Sequence, residues 1–558
     1  MNQPDKPGRR RALVTATAAV TAIATIAGLG FIGLSTTPSL ASAASPETIG
    51  ATVSSTPIDR TTTPTPATTG PTPATTTPVT TQPASDPAVA QQAGTLEGIT
   101  NVVFVLADDL DWSLFEQVPR LAALQDKGMT FTNHTVTDSL CCPSRASILR
   151  GQYIHNHDVV SNLSRTGGGW PTFLEKGWHT DCLPTWLQSA GVETALFGKY
   201  LNEYPATQRP VDARYVPPGW DSWGVPTSRG DSYTGYDYVL NSNGRLVSYG
   251  KKPTDFLNDV ITTKTTDFIR TAPDGFFVML STYNPHKPAP VATRNKETHQ
   301  ATVAPRTVNY NQFGTNEPSW LRAIPAIKPW KQARLDNLWR QRAQSAESVA
   351  DSVDAVLATL EETGRADDTL VVVTSDNGYH VGAHRLTKGK RTAFREDTVV
   401  PMVVIGPGVT PGTRIDAMTS TIDLAPTFTS ILGAQSPTWV DGRSLTDIIA
   451  TEQVPATWRQ AIVSESLGTS GPGDPDYQPQ APPQYTSLRT PDWLFVVYRD
   501  GERELYDLKA DPFEMNNIIA TADTRLVADL YSQLQALRVC AGDSCRTADA
   551  IVLTEPTG

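Results

Sequence analysis

Between residue 100 and about residue 455, short apolar runs alternate with stretches whose apolar residues recur at helical spacing. That pattern predicts an α/β fold, a large domain with a central, mostly parallel sheet flanked by helices. Four of the apolar runs end in reactive side chains. Asn101–Ala107 (NVVFVLA) leads into Asp108-Asp109, Val192–Phe197 (VETALF) into Gly198-Lys199, Phe276–Ser281 (FFVMLS) into Asn284-Pro285-His286, and Thr369–Thr374 (TLVVVT) into Asp376-Asn377-Gly378. Open α/β sheets bind their ligands outside the carboxyl ends of the strands. The four runs are therefore expected to bring acids, a lysine and a histidine to one rim.

Near residue 456 the pattern changes. Trp493–Tyr498 (WLFVVY), the turn Asp500-Gly501 and Glu504–Leu508 (ELYDL) read as an antiparallel hairpin, the start of a small C-terminal sheet. Leu526, Leu530, Leu534 and Leu537 follow at helical spacing and are expected to pack across it. The predicted organisation is a catalytic domain over 98–455, a C-terminal subdomain over 456–545 and a tail over 546–558.

The first hundred residues are of another kind. Arg9-Arg10-Arg11, an apolar stretch to Leu34 and the small residues Ala41-Ser42-Ala43-Ala44 read as an export signal over 1–44, with the arginines compatible with a twin-arginine route. The apolar stretch nears the ~20 residues of a membrane span. Cleavage and retention as an anchor both fit, and the Ala-Ser-Ala site favours cleavage. Residues 45–97 are dominated by Thr, Pro, Ala and Ser, too polar to offset the entropy of ordering, and read as a disordered linker.

Charge narrows the classes of partner. The chain carries a net charge of -11 and no long run of Lys or Arg after Arg11, which argues against a nucleic-acid or anionic-membrane surface. An anionic substrate must then be met by a local cluster of positive groups. The five cysteines are Cys141, Cys142, Cys182, Cys540 and Cys545, and an odd count in an exported chain leaves one for another task. Cys540 with Cys545 is the easiest disulfide to propose, and Cys142 with Cys182 a weaker one.

In Cys141-Cys142-Pro143-Ser144-Arg145-Ala146-Ser147-Ile148-Leu149-Arg150-Gly151, a proline suited to a first turn precedes a helix-forming run. Cys141 would stand at a helix N-terminus, where free N–H groups favour an oxyanion or thiolate. Asp108, Asp109, Asp376 and Asn377 form an all-oxygen set suited to a hard cation. Taken alone, an acidic pair after a strand is more often a turn or a helix cap.

The Cys141 segment resembles the sulfatase signature Cys-x-Pro-Ser-Arg. With Tyr153-Ile154-His155-Asn156-His157 it is similar to the branch containing N-acetylglucosamine-6-sulfatases and heparan endosulfatases. The resemblance continues through Gly198-Lys199-Tyr200-Leu201-Asn202-Glu203-Tyr204, Pro218-Gly219-Trp220, Asp376-Asn377-Gly378-Tyr379-His380 and Glu504-Leu505-Tyr506-Asp507-Leu508. It implies an alkaline-phosphatase-like fold and a Cys141 oxidised to formylglycine by a separate formylglycine-generating enzyme. It also implies one Ca²⁺, in preference to Mg²⁺, held by Asp108, Asp109, Asp376, Asn377 and the modified Cys141. The hydrated aldehyde would attack sulfur with one hydroxyl and expel sulfate with the help of the other. Arg145 would hold that hydrate, Lys199 and Lys390 the sulfate oxygens, and His286, with Lys390 as competitor, would protonate the leaving group.

Two departures from the family pattern concern specificity. Tyr200-Leu201 replaces Trp-His, which leaves Asn202, His155 or His157 to take over a missing histidine's role. Phe394-Arg395 replaces Tyr-Glu and is expected to add positive charge at the mouth. His380 and His384 either close over the substrate or pack a loop. The expected partner is a sulfated small molecule or glycan, N-acetylglucosamine-6-sulfate first. A phosphonate or phosphodiester hydrolase of the same fold is the nearest alternative, disfavoured because ligands for a single metal are present. A non-catalytic surface protein binding sulfated glycans would have no need of the nucleophile.

Overall fold

The computed structural model describes residues 96–553, apart from 206–211, 470, 472, 473 and 475 and the side chains of 228–230. The export signal, nearly all of the linker and the end of the tail lie outside the described residues. Among the described residues no helix is long and apolar enough to cross a membrane.

Among the described residues, fourteen strands form two sheets. The larger contains β1 (Asn101–Ala107), β2 (Met129–Thr135), β3 (Glu193–Gly198), β4 (Ser222–Asp231), β5 (Tyr236–Ser242), β6 (Arg245–Ser248), β7 (Phe276–Ser281), β8 (Thr369–Ser375), β9 (Met402–Ile405) and β10 (Arg414–Ser420). Their order across the sheet is β10-β2-β9-β8-β1-β7-β3-β4-β5-β6. The central five, β8-β1-β7-β3-β4, run parallel, and β9, β5 and β6 are joined antiparallel. The four runs singled out by their reactive ends are thus adjacent strands pointing the same way.

Both faces of this sheet are covered, which is why its central strands are apolar without alternation. Val102, Phe104 and Leu106 of β1 face one core with Cys142, Ala146 and Ile148 from the helix Cys141–Arg150 and Phe428 from Leu424–Ile431. Val103, Val105 and Ala107 face the other, with Val260 and Ile269 of Leu257–Thr271 and Trp339, Ala346 and Val353 of the long helix Pro329–Thr363.

The second sheet, β11 (Ile462–Ser466), β12 (Tyr485–Arg489), β13 (Trp493–Tyr498) and β14 (Arg503–Asp507), is antiparallel throughout, as the hairpin pattern predicts. Leu526, Leu530, Leu534 and Leu537 of the helix Thr524–Leu537 pack on Leu488, Phe495 and Leu505 of this sheet. Cys540 and Cys545 form the expected disulfide. The Cys142–Cys182 pairing does not occur: both thiols are free and serve as buried apolar side chains of the first core. The tail also has a role that its sequence does not signal. Asp549 accepts from Arg459 Nε at 2.8 Å, while Arg459 forks onto both oxygens of Asp423, all of it buried.

Candidate active site

Cys141 opens the helix Cys141–Arg150 after Leu140 in extended conformation, with Pro143 in the first turn. Asp108 and Asp109 follow β1, and Asp109 adopts φ 67°, a left-handed conformation that aspartate tolerates better than most residues. Gly198, at φ 113°, is required where β3 meets β7: a Cβ there would lie 1.8 Å from the Ser281 carbonyl oxygen. The close approach lets Lys199 N–H donate to that carbonyl at 2.8 Å and sets the lysine on the rim.

The structure gathers Asp108, Asp109, Cys141, Arg145, Lys199, His286, Asp376, Asn377 and Lys390 in one linked set of contacts. Lys199 Nζ donates to Asp108 Oδ2 at 2.6 Å, and Lys390 Nζ to Asp109 Oδ1 at 2.5 Å and to Cys141 Sγ at 2.8 Å. The Cys141 thiol faces Asp108 Oδ1 at 3.3 Å. Arg145 Nε donates to Asp376 Oδ2 at 2.7 Å, and its Nη1 to the Lys199 carbonyl at 3.0 Å and Ser281 Oγ at 2.7 Å; Nη2 has no partner. His286 Nε2 is 3.7 Å from Asp109 Oδ2. Each of these residues is at most 2 % exposed, so the charges act at low dielectric.

Burial first, and then the Asp108 carboxylate, push the Cys141 thiol well up, so it is protonated and a poor nucleophile. Burial opposes charge on Lys199, Lys390 and Asp376, but their partners outweigh it. Asp108 holds Lys199, and Asp109 holds Lys390, well above the usual lysine value, while Arg145, Lys199 and Lys390 hold Asp376 low. His286 is likewise raised: burial works against the imidazolium, and Asp109, Asp108 and Asp476 prevail.

The donor set fits a hard cation. Asp109 Oδ2 and Asn377 Oδ1 are buried oxygens without a hydrogen-bond partner, an arrangement that is costly unless something positive satisfies them. Ligand atoms of Asp108, Asp109, Cys141 and His286 lie within 4.8 Å of one another. Behind them, Arg342 Nη2 donates to the Asp109 carbonyl at 2.6 Å and to Asp111 Oδ2 at 3.1 Å.

Several sequence readings are corrected. His155 is tied to Glu465 at 2.8 Å and to the Cys540 carbonyl at 3.0 Å, and His157 to Ser147 Oγ at 2.9 Å and the Val159 N–H at 3.1 Å, so both are structural. His380 pairs through Nδ1 with Asp397 and keeps Nε2 buried without a partner, and His384 stacks on Phe394 at 3.9 Å, a loop-packing contact. Arg395 turns to the Pro512 carbonyl and the Phe513 ring and lines a separate cavity. Four neighbours had escaped the sequence reading: Asp476, Asn162, Ser281 and Tyr233, whose ring lies 4.6 Å from that of His286 and 5.5 Å from Lys199 Nζ.

Comparison with known proteins bears on this geometry. The family description "Sulfatase" matches residues 100–434, more than half of the chain, and "N-sulphoglucosamine sulphohydrolase, C-terminal" matches residues 382–540. The chain belongs to the sulfatase family. This sulfatase is 35% identical over 480 residues to the N-acetylglucosamine-6-sulfatase of Capra hircus, covering 80% of this chain and 85% of that one. The human N-acetylglucosamine-6-sulfatase is equally similar, at 35% over 480 residues, 80% of this chain and 86% of that one. Among solved structures, a protein in complex with its substrate D-glucosamine-2-N,6-O-disulfate superposes with a TM-score of 0.66 at 21% identity, over 81% of this sulfatase and 99% of that chain. A phosphonate monoester hydrolase from Silicibacter pomeroyi superposes with a TM-score of 0.60 at 24% identity, over 78% and 94%. These two likenesses establish the shared fold.

Proposed function

We propose that this sulfatase is exported by its N-terminal segment and removes sulfate esters from glucosamine-type sugars such as N-acetylglucosamine-6-sulfate, using a formylglycine made from Cys141 and one calcium ion. The observation that carries the reading is that Lys390 contacts Cys141 at a helix N-terminus while Arg145, Lys199 and His286 hold the Asp376, Asp108 and Asp109 carboxylates around it. The sugar class is supported by 35% identity to N-acetylglucosamine-6-sulfatases over most of their length.

Cys141 as a protonated thiol is inert, which is consistent with a residue that acts only after modification. The hydrated aldehyde supplies a nucleophile that releases sulfate by C–O cleavage. Asp108, Asp109, Asp376 and Asn377 are the residues to hold the calcium ion, which supplies Lewis-acid polarisation of a sulfate oxygen. Lys199 and Lys390 neutralise the transferring group, Arg145 directs its free Nη2 to the nucleophile, and His286 protonates the departing sugar oxygen.

The test is mass spectrometry of the Cys141 peptide from protein made in its own host, together with turnover of an aryl sulfate, N-acetylglucosamine-6-sulfate and a phosphonate monoester. A peptide lighter by the thiol-to-aldehyde difference and chelator-sensitive hydrolysis of the sugar sulfate are expected. An unmodified Cys141 in active enzyme, or a preference for the phosphonate, would refute the reading.

A further inference from the structure

The connection from Ser466 at the end of β11 to Tyr485 at the start of β12 brings one more carboxylate onto the nucleophile. Asp476 is 1 % exposed, and its backbone N–H is anchored to Asp474 Oδ1 at 2.9 Å. Oδ1 accepts from His286 Nε2 at 3.0 Å and lies 3.9 Å from Lys287 Nζ. Oδ2 accepts from Asn162 Nδ2 at 2.8 Å, lies 3.4 Å from Lys390 Nζ and stands 3.8 Å from Cys141 Sγ.

The positions of these contacts matter more than their number. Lys390 and His286 are the groups that must meet the sulfate and its leaving oxygen, and Asp476 already accepts from His286 and forms an ion pair with Lys390. A second anion cannot take the same donors without displacing the first, because two unpaired anions at contact distance in a buried site repel strongly. A ligand that brings only an anion gains on entry little more than it takes from Asp476. A sulfate carried on a sugar brings further contacts that can meet the cost of displacement.

We infer that Asp476 is a specificity-determining residue: its carboxylate is a resident stand-in for sulfate that discriminates against bare anions, including the inorganic sulfate product, in favour of sulfate esters whose attached sugar makes contacts of its own. The inference rests on the sulfatase reading of this site. It concerns the side chain's competition for Lys390 and His286, and its consequence is weak product inhibition.

The test compares the calcium-loaded wild type with Asp476→Asn and Asp476→Ala. Inorganic sulfate binding is measured by titration calorimetry, and KM for an aryl sulfate and for N-acetylglucosamine-6-sulfate is measured alongside. Sulfate should bind about 10- to 100-fold more tightly to the variants, the equivalent of one or two charge-assisted hydrogen bonds released to the ligand. KM for the aryl sulfate should fall with it, narrowing the preference for the sugar sulfate. Asn162→Ala removes one tie to Asp476 while leaving the carboxylate in place. It should tighten sulfate binding by less, and it keeps the test decisive if the Asp476 variants fail to fold.

Unchanged or weaker sulfate binding in the folded variants would overturn the inference, as would a rise in KM confined to the sugar sulfate, which would make Asp476 a sugar-reading residue. Calorimetry needs no turnover, so the two readings separate. Sulfate binding that responds to residue 476 in a protein hydrolysing no sulfate ester would sink the enzyme reading alone. An unresponsive site in an active sulfatase would sink this inference alone.

Discussion

Asn377 donates its side-chain N–H to Asp109 Oδ1 at 2.7 Å while its own Oδ1 and Asp109 Oδ2 are left buried and unpaired. Two buried oxygens without hydrogen-bond partners are a standing cost that a cation removes. Calcium should therefore raise the thermal midpoint of chelator-treated protein, by the equivalent of about 2.7 kcal/mol at a hundredfold excess over its dissociation constant. Asn377→Ala and Asp109→Ala should abolish most of that rise. Scanning fluorimetry with and without calcium checks this, and an undiminished rise in both variants would locate the cation elsewhere.

Lys390 touches both Cys141 and Asp109, so it is expected to act on the reaction more than on the fold. Lys390→Ala should lower kcat about 10²- to 10³-fold, the usual cost of removing one preorganised donor from developing negative charge. Arg145→Lys should also be severely impaired, because an ammonium cannot reproduce the fork that joins Asp376, Ser281 and the Lys199 carbonyl. Steady-state kinetics on protein with confirmed Cys141 conversion provides the measurement.

Glu504 on β14 is buried between the hydroxyls of Tyr498 and Tyr506, at 2.9 and 3.2 Å. Burial is the main force pushing its carboxyl up from 4.5 to about 8. A carboxyl whose folded value exceeds its unfolded value binds its proton more tightly in the native state. Its contribution to stability is complete below pH 4.5 and is lost as pH rises to about 8. The slope contributed is at most about 1.4 kcal/mol per pH unit. Glu504→Gln should flatten that part of the stability profile and make the protein more stable than wild type at pH 8, as denaturant melts across the range would reveal.

Arg459 is clamped between Asp423, at the start of a helix of the main domain, and Asp549 in the C-terminal tail. Arg459→Ala would leave Asp423 buried without its cation, while Asp549 keeps its pair with Arg443, and should cost about 3–5 kcal/mol. Arg459→Met with Asp423→Asn, leaving Asp549 to Arg443, should recover much of the loss. Urea unfolding of the two variants separates the cost of a stranded charge from that of lost packing.

Much of the reactive rim was legible before any coordinates. Asp108, Lys199, His286 and Asp376 each follow an apolar run, and a parallel sheet makes every such run end at the same edge, so strand polarity alone gathers them. Cys141 was equally readable at a helix start marked by Pro143, and Arg145, one helical turn on, through its resemblance to the sulfatase signature. The sequence by itself therefore determined the fold class and the C-terminal hairpin, because both follow from local periodicity, while the expected reaction-bearing residues came from resemblance to the sulfatase signature.

Other features depended on chain segments distant in sequence. The Gly/Pro-rich stretch around Asp476 has no periodicity, and nothing local indicates that this aspartate faces Cys141, 335 positions earlier. Asn162 and Tyr233 were hidden in the same way, and His155, His157 and Arg395 were assigned too close to the chemistry because proximity along the chain says little about which way a side chain turns. Tertiary structure decided which polar groups share the buried space above the nucleophile, since pairing of charges at low dielectric is settled by three-dimensional distance and not by sequence spacing.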